Sequence, residues 1–215
     1  MAADRLVQGP GRPVEDTDVD DAVLADDAVA DIADAYKLLV IWRPDHGREA
    51  RERVVERFVA GCRARGRPSV VEGIVRPAAD AAPFPPEAHV DAVLRAAAEL
   101  TAPGPDLYKA EVPTQGRLDD AAIVDGSLRL SDVVGRPWVV LSNGVAPDRF
   151  ASAALAAARG GASGFLAGRA IWSASIGAPD VARDLETAAG GRLRDLAAQM
   201  DGVARPWTAT RDGTP

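Results

Sequence analysis

From Lys37 onward, short apolar runs alternate with longer stretches in which apolar residues recur at helical spacing. The first run is Lys37–Trp42. A charged stretch from about Gly47 to Arg65 follows, with Val54, Val55, Phe58, Val59 and Cys62 on one stripe, and predicts an amphipathic helix. The second run is Ser69–Val75, followed by a helix from about Pro86 to Leu100, with Pro86 suited to the first turn. The third run, Leu107–Val112, precedes a helix around Leu118–Val134. The fourth, Trp138–Leu141, precedes a helix over Pro147–Arg159. The fifth is Gly164–Leu166, ending in Gly168-Arg169. A last helix is expected roughly over Pro179–Val203, broken near Gly190-Gly191, and then a loose tail.

Strand–helix repeats whose strands are apolar on both sides predict a parallel sheet. Chemically unusual residues sit inside these runs or at their C-terminal ends: Lys37, Glu72, Lys109, Ser142 and Arg169. In a (β/α)8 barrel that end carries the active site. An open doubly wound sheet is the alternative, but no Gly-rich dinucleotide or Walker motif is present. The expected fold class is therefore α/β, of the TIM-barrel family. A whole barrel needs eight strands and about 250 residues. The 215 residues supply about five C-terminal βα units, an incomplete barrel. The opening Met1-Ala-Ala-Asp-Arg-Leu reads as the exit of a strand, with three units expected to be absent before it. The expected organisation is residues 1–35 as an acidic remnant of a preceding βα unit, 36–203 as barrel, and 204–215 as flexible tail.

Charge changes this picture little. The net charge is −7, and nine acids between Glu15 and Asp34 account for more than all of it. Without them the balance would be +2, so a solvated acidic helix or loop is expected there and no basic face points to nucleic acid. The single Cys62 excludes an intrachain disulfide and suits a reducing, cytoplasmic setting, as a small core residue. No apolar run reaches membrane-spanning length. His46 and His89 lack ligand spacing and are expected at the surface, so metal chemistry is not expected.

Candidate chemistry begins with the cations. Only two lysines occur against 23 arginines, and both lie in strand-like runs: Lys37 in Tyr36-Lys-Leu-Leu-Val-Ile-Trp42 and Lys109 in Asp106-Leu-Tyr-Lys-Ala-Glu-Val112. A guanidinium stays protonated, whereas an amine can become a nucleophile, which points to Schiff-base chemistry. Strand alternation puts Lys109 on one face with Leu107 and Glu111, and Tyr108 on the other. An amine beside a second ammonium gives up its proton more readily. Glu72 is placed to relay protons; a purely structural Lys–Glu ion pair is the other reading. At two consecutive strand exits stand Leu141-Ser-Asn-Gly-Val145 and Gly164-Phe-Leu-Ala-Gly-Arg169. Their Ser142, Gly144, Gly168 and Arg169 match the barrel phosphate site after strands seven and eight. Taken singly, Gly144 also reads as a turn glycine and Arg169 as a partner for a carboxylate.

Lys109 in Asp-Leu-Tyr-Lys-Ala-Glu-Val-Pro resembles the Schiff-base strand of class I tagatose-1,6-bisphosphate aldolases. Pro137-Trp-Val-Val-Leu-Ser-Asn-Gly-Val145 and Gly161-Ala-Ser-Gly-Phe-Leu-Ala-Gly-Arg-Ala-Ile-Trp172 resemble them too, and are closer to 6-deoxy-6-sulfofructose-1-phosphate aldolase. Lys37-Leu-Leu-Val-Ile-Trp-Arg43 and Ser175-Ile-Gly-Ala-Pro-Asp180 point to the same sulfosugar branch, and the resemblance covers about residues 36–203. It implies a metal- and cofactor-independent enzyme that cleaves a ketose 1-phosphate to dihydroxyacetone phosphate and an aldehyde. That aldehyde is 3-sulfolactaldehyde in the sulfosugar branch and glyceraldehyde 3-phosphate in the other. By resemblance Lys109 is the Schiff-base lysine, Lys37 and Glu72 are its polar helpers, and Ser142, Gly144 and Arg169 hold phosphate. Asn143 departs from the small residue more usual there. A phosphosugar is the expected partner and a homo-oligomer the expected state. An inactive phosphosugar-binding fragment and an isomerase using Lys and Glu as acid and base are the competing readings.

Overall fold

The computed structural model describes residues 1–9, 14–45, 47–78 and 81–207. The chain divides into two compact units: Met1–Ala110 with Val133–Arg136, and Glu111–Asp132 with the residues from Pro137 on.

The first unit opens with a hairpin of β1 (Asp4–Val7) and β2 (Asp16–Val19), paired antiparallel with Asp4 opposite Val19. The acidic segment continues as two short helices, α1 (Asp21–Ala25) and α2 (Asp27–Ile32). Its acids do local work: Asp20 and Asp26 cap these helices by accepting from the backbone N–H groups of Ala22, Val23 and Ala28. Asp18 meets Arg5 and Arg57, and Asp27 meets Arg65 at 2.5 Å. The expected single helix or loop is thus a strand and two capped turns, tied down by arginines of the following helix.

Three parallel strands come next: β3 (Tyr36–Trp42), β4 (Ser69–Val75) and β5 (Leu107–Glu111). They pair in chain order, with Leu39 opposite Glu72 and Glu72 opposite Lys109. Every residue of β4 is buried, as expected for a parallel strand covered on both faces. Ala2 forms a parallel bridge to Lys37, so the segment ahead of β1 does lie along the sheet as a strand end before it turns into the hairpin. Helices α3 (Arg48–Ala64) and α4 (Pro86–Thr101) connect the strands. The inward stripe of α3 is Arg51, Val55, Phe58, Val59 and Cys62, with Arg51 taking a place the pattern gave to Val54. Burying each large apolar member contributes roughly 1.5–3 kcal/mol.

His89 is a correction. It is buried, 3% exposed, in the first turns of α4, because it continues the stripe of Val93, Ala96 and Leu100. Its ring packs edge-on against Phe84 at 6.2 Å. His46 lies outside the described residues. No helix among the described residues is long and apolar enough to cross a membrane.

The second unit holds most of α5 (Asp120–Val134), then β6 (Trp138–Leu141) and α6 (Pro147–Arg159). The expected fifth strand is reduced to a single parallel bridge between Val140 and Phe165. Its backbone still bonds in strand fashion, Val140 N–H to Gly164 O at 3.1 Å and Leu166 N–H to Val140 O at 2.9 Å. Three residues that start from Gly164, at φ +153, are too few to extend it. The chain ends in α7 (Arg169–Trp172), α8 (Val181–Asp184), a π-helical turn Leu185–Ala189 and α9 (Gly190–Asp201). The irregular turn stands ahead of Gly190-Gly191, which are themselves helical. Most of the expected tail lies outside the described residues.

Candidate active site

Parallel register does the first piece of positioning. Glu72 and Lys109 are direct cross-strand partners, and Lys37 is two residues before the Leu39 that faces Glu72. All three side chains therefore stand on one face of the sheet. Lys109 Nζ lies 3.1 Å from Glu72 Oε1, and Lys37 Nζ lies 3.5 Å from Glu72 Oε2. Lys37 also donates to Asp4 Oδ1 at 2.8 Å. The result is a run of alternating charge, Asp4–Lys37–Glu72–Lys109, with two cations and two anions. The two carboxylates are the more deeply covered, and each lysine keeps a partly exposed side chain, 25% for Lys37 and 16% for Lys109. A carboxylate touching one amine with each oxygen can take a proton from either and return it.

Asp4 was not among the residues picked from the sequence. Its signal was the reading of Met1–Leu6 as a strand exit, since a strand end beside Lys37 brings its own acid with it.

The backs of the strands fix this face. The opposite side of β4 and β5 carries Gly73 and Tyr108, and Tyr108 is 1% exposed. A Cβ at Gly73 would run into the Tyr108 hydroxyl, so glycine leaves room for the tip of the tyrosine against the strand.

In the second unit the turn after β6 is Ser142-Asn143-Gly144. Gly144 has φ +78, and a Cβ there would meet Gln115 Nε2 at 2.6 Å. Both the backbone conformation and the space select glycine. Gly168 and Arg169 begin α7, and Arg169 is exposed. The two strand exits are joined by Asn143. Its Nδ2 donates to Glu111 Oε1 at 2.6 Å, and its Oδ1 accepts from Arg169 Nη2 at 3.2 Å. Glu111 is 1% exposed. So Ser142, Gly144, Gly168 and Arg169 fall into one cluster, and the two residues that connect it, Asn143 and Glu111, were not chosen from the sequence. Asn143 had stood out only as a departure; its amide, donor and acceptor at once, is the group able to bridge a carboxylate and a guanidinium.

Cys62 is buried as expected, and burial, helped by the Asp106 carboxylate, pushes its thiol up to about 12. Among the described residues no three His, Cys, Asp or Glu side chains are grouped to hold a metal ion.

Comparison with known proteins agrees with this architecture. The chain is similar to an archaeal fructose-1,6-bisphosphate aldolase, solved with its catalytic Lys covalently bound to the carbinolamine intermediate of the substrate. The TM-score is 0.59 at 19% identity over 82% of this chain and 61% of that one. It is similar to the fructose-bisphosphate aldolase from Slackia heliotrinireducens, with a TM-score of 0.59 at 16% identity over 94% of this chain and 65% of that one. A Schiff-base-forming fructose-1,6-bisphosphate aldolase gives a TM-score of 0.53 at 20% identity, over 67% of this chain and 54% of that one. These likenesses establish the shared fold, and the chain spans less than two thirds of the length of each. The model of the DeoC/LacD family aldolases matches residues 7–174. A match over most of the sequence makes this chain a member of the DeoC/LacD aldolase family.

Proposed function

We propose that the chain carries out class I aldol cleavage with Lys109 as the Schiff-base nucleophile. The observation that supports this most is the contact of Lys109 Nζ with Glu72 Oε1 at 3.1 Å, with Lys37 on the other oxygen of the same carboxylate. The similar archaeal enzyme, whose catalytic lysine was caught as a carbinolamine, adds to it.

In this reading Lys109 gives a proton to Glu72 and attacks the ketone carbon C2 of a ketose 1-phosphate. The carbinolamine oxygen leaves as water, with a proton returned through Glu72, and an iminium forms. A base takes the proton of the C4 hydroxyl, the C3–C4 bond breaks, and its electron pair moves to the iminium nitrogen. The aldehyde departs. The enamine takes a proton at C3, and water then releases dihydroxyacetone phosphate and restores the amine. Lys37 keeps Glu72 oriented and its charge balanced. Ser142, Gly144, Gly168 and Arg169 hold the 1-phosphate through a hydroxyl, open backbone and a guanidinium. No metal or cofactor takes part.

The substrate within this reading is 6-deoxy-6-sulfofructose 1-phosphate, giving 3-sulfolactaldehyde, on the strength of the sequence resemblance. Tagatose 1,6-bisphosphate is the alternative. A cytoplasmic setting and a homo-oligomeric state go with either. The test is release of dihydroxyacetone phosphate by the full chain from each ketose, followed by coupled reduction. Faster release from the sulfosugar supports the assignment, and faster release from the bisphosphate reverses it.

One observation favours a second reading. Asp4 and Glu72 together neutralise both lysines. A phosphosugar-binding chain without turnover would keep such an ion network for structure. Thermal stabilisation by the phosphosugar with no dihydroxyacetone phosphate released would select it.

A further inference from the structure

A cavity of about 520 Å3 in the first unit has none of Lys37, Glu72 and Lys109 in its lining. Trp42 is five residues after Lys37 in one strand, so the two side chains point to opposite sides. The cavity is lined by the end of β3, the first turns of α3 and the outer side of α4. Its volume falls in the range of small-molecule sites, roughly 300–1,000 Å3.

Its charge is unlike that of the chain. Four arginines line it, Arg43, Arg48, Arg51 and Arg95, against two acids, Asp45 and Glu99, which leaves +2 on a protein of net charge −7. The acid at its centre is already committed. Glu99 accepts from Arg51 Nε at 2.6 Å with one oxygen, and from Trp42 Nε1 at 2.8 Å and Arg51 Nη2 at 3.1 Å with the other. Arg51 is thereby spent as well, and it stays over the Trp42 ring at 5.7 Å. Arg48 is paired with Glu52 at 2.8 Å. Two cations remain. The Arg95 guanidinium lies 5.4 Å from the Trp42 ring centre and has no carboxylate partner among the described residues. Arg43 donates Nη1 to the Pro77 carbonyl at 2.9 Å, a neutral acceptor that leaves its charge in place. A guanidinium carries a planar fork of N–H groups that can meet a phosphate with two parallel hydrogen bonds.

We infer that this cavity is a second ligand site, with neither lysine in its lining, that takes a small phosphate monoester through Arg95 and Arg43, with the Arg51–Glu99–Trp42 group as its rigid floor. The inference does not depend on the aldolase reading.

The test is isothermal titration of the full chain with glycerol phosphate and, separately, with inorganic phosphate. It is done in an Arg169→Ala background so that the phosphate residues proposed above do not contribute. Saturable binding of the ester at one site per chain, with a Kd of about 1 mM or tighter, is expected. Arg95→Ala and Arg43→Gln should each weaken it at least tenfold or so, the loss of a charge-assisted hydrogen bond. Lys109→Met should leave it unchanged. Arg95 is exposed, so its removal leaves the fold intact, which circular dichroism checks. No saturable binding, binding unaltered in both arginine variants, or binding of inorganic phosphate without the ester would overturn the inference.

Discussion

Replacing Gly73 by alanine puts a methyl group where the sheet has no room for one, directly behind the Glu72–Lys109 pair. The added Cβ would lie well inside 3.0 Å of the Tyr108 hydroxyl, 3.1 Å from Tyr108 Cζ and 3.2 Å from Leu100 Cδ1. Tyr108 and Leu100 are buried and have nowhere to swing, so either the ring leaves its rotamer or β4 and β5 shift. Overpacking of this kind costs about 1–3 kcal/mol. Alanine recovers about 0.4–1 kcal/mol by restricting the unfolded chain, since Gly73 does not have a positive φ. The net expectation is a loss of about 1–2 kcal/mol. With a urea m-value of about 2 kcal/mol/M, the denaturation midpoint should fall by roughly 0.5–1 M. Equilibrium unfolding followed by circular dichroism reads this directly. Adding Tyr108→Phe removes the atom in closest conflict, so the double variant should lose less than the two single losses combined. A Gly73→Ala midpoint equal to wild type, or strict additivity with Tyr108→Phe, would refute the packing argument.

Other expectations follow from named groups. Glu72→Gln leaves Lys109 without the carboxylate at 3.1 Å and should slow cleavage by about 10²- to 10⁴-fold while the fold persists, checked by turnover beside a melting curve. Gly144→Ala meets both a positive φ and the Gln115 side chain, and should cost about 1–3 kcal/mol in denaturant unfolding. Cys62 in the native chain should resist thiol reagents at pH 8 and react once the chain unfolds. Because its folded value, about 12, lies above its ordinary 9.0, its contribution is intact below pH 9. It then falls as pH rises towards 12, by about 1.4 kcal/mol at pH 10. Cys62→Ala should remove that alkaline dependence.

Much of the fold was legible because its signals are local. The runs that became β3, β4 and β5 are apolar on both faces, and the stripe of α3 repeats at helical spacing; both patterns follow from burial alone. Lys37, Glu72 and Lys109 could be grouped because parallel register and alternation are arithmetic. What escaped notice depends on distant partners. Arg51 is not part of the apolar stripe read from the sequence, yet Glu99, 48 residues away, takes it into the interior. His89 looked like a helix-start surface residue, yet the core stripe of α4 begins with it. Asn143 was legible as an oddity but not as a bridge, since its partners Glu111 and Arg169 lie 32 and 26 residues away. The acidic segment misled in another way. Its charge predicted solvation, while its aspartates cap short helices and meet arginines that the sequence gives no means of assigning to them.

Schiff-base chemistry at position 109 is tested most directly by borohydride reduction in the presence of dihydroxyacetone phosphate, followed by peptide mass mapping. The expected result is one adduct per chain, on the peptide containing Lys109, absent from Lys109→Met and leaving Lys37 unmodified. A folded chain that acquires no adduct, or acquires it on Lys37, would contradict the account.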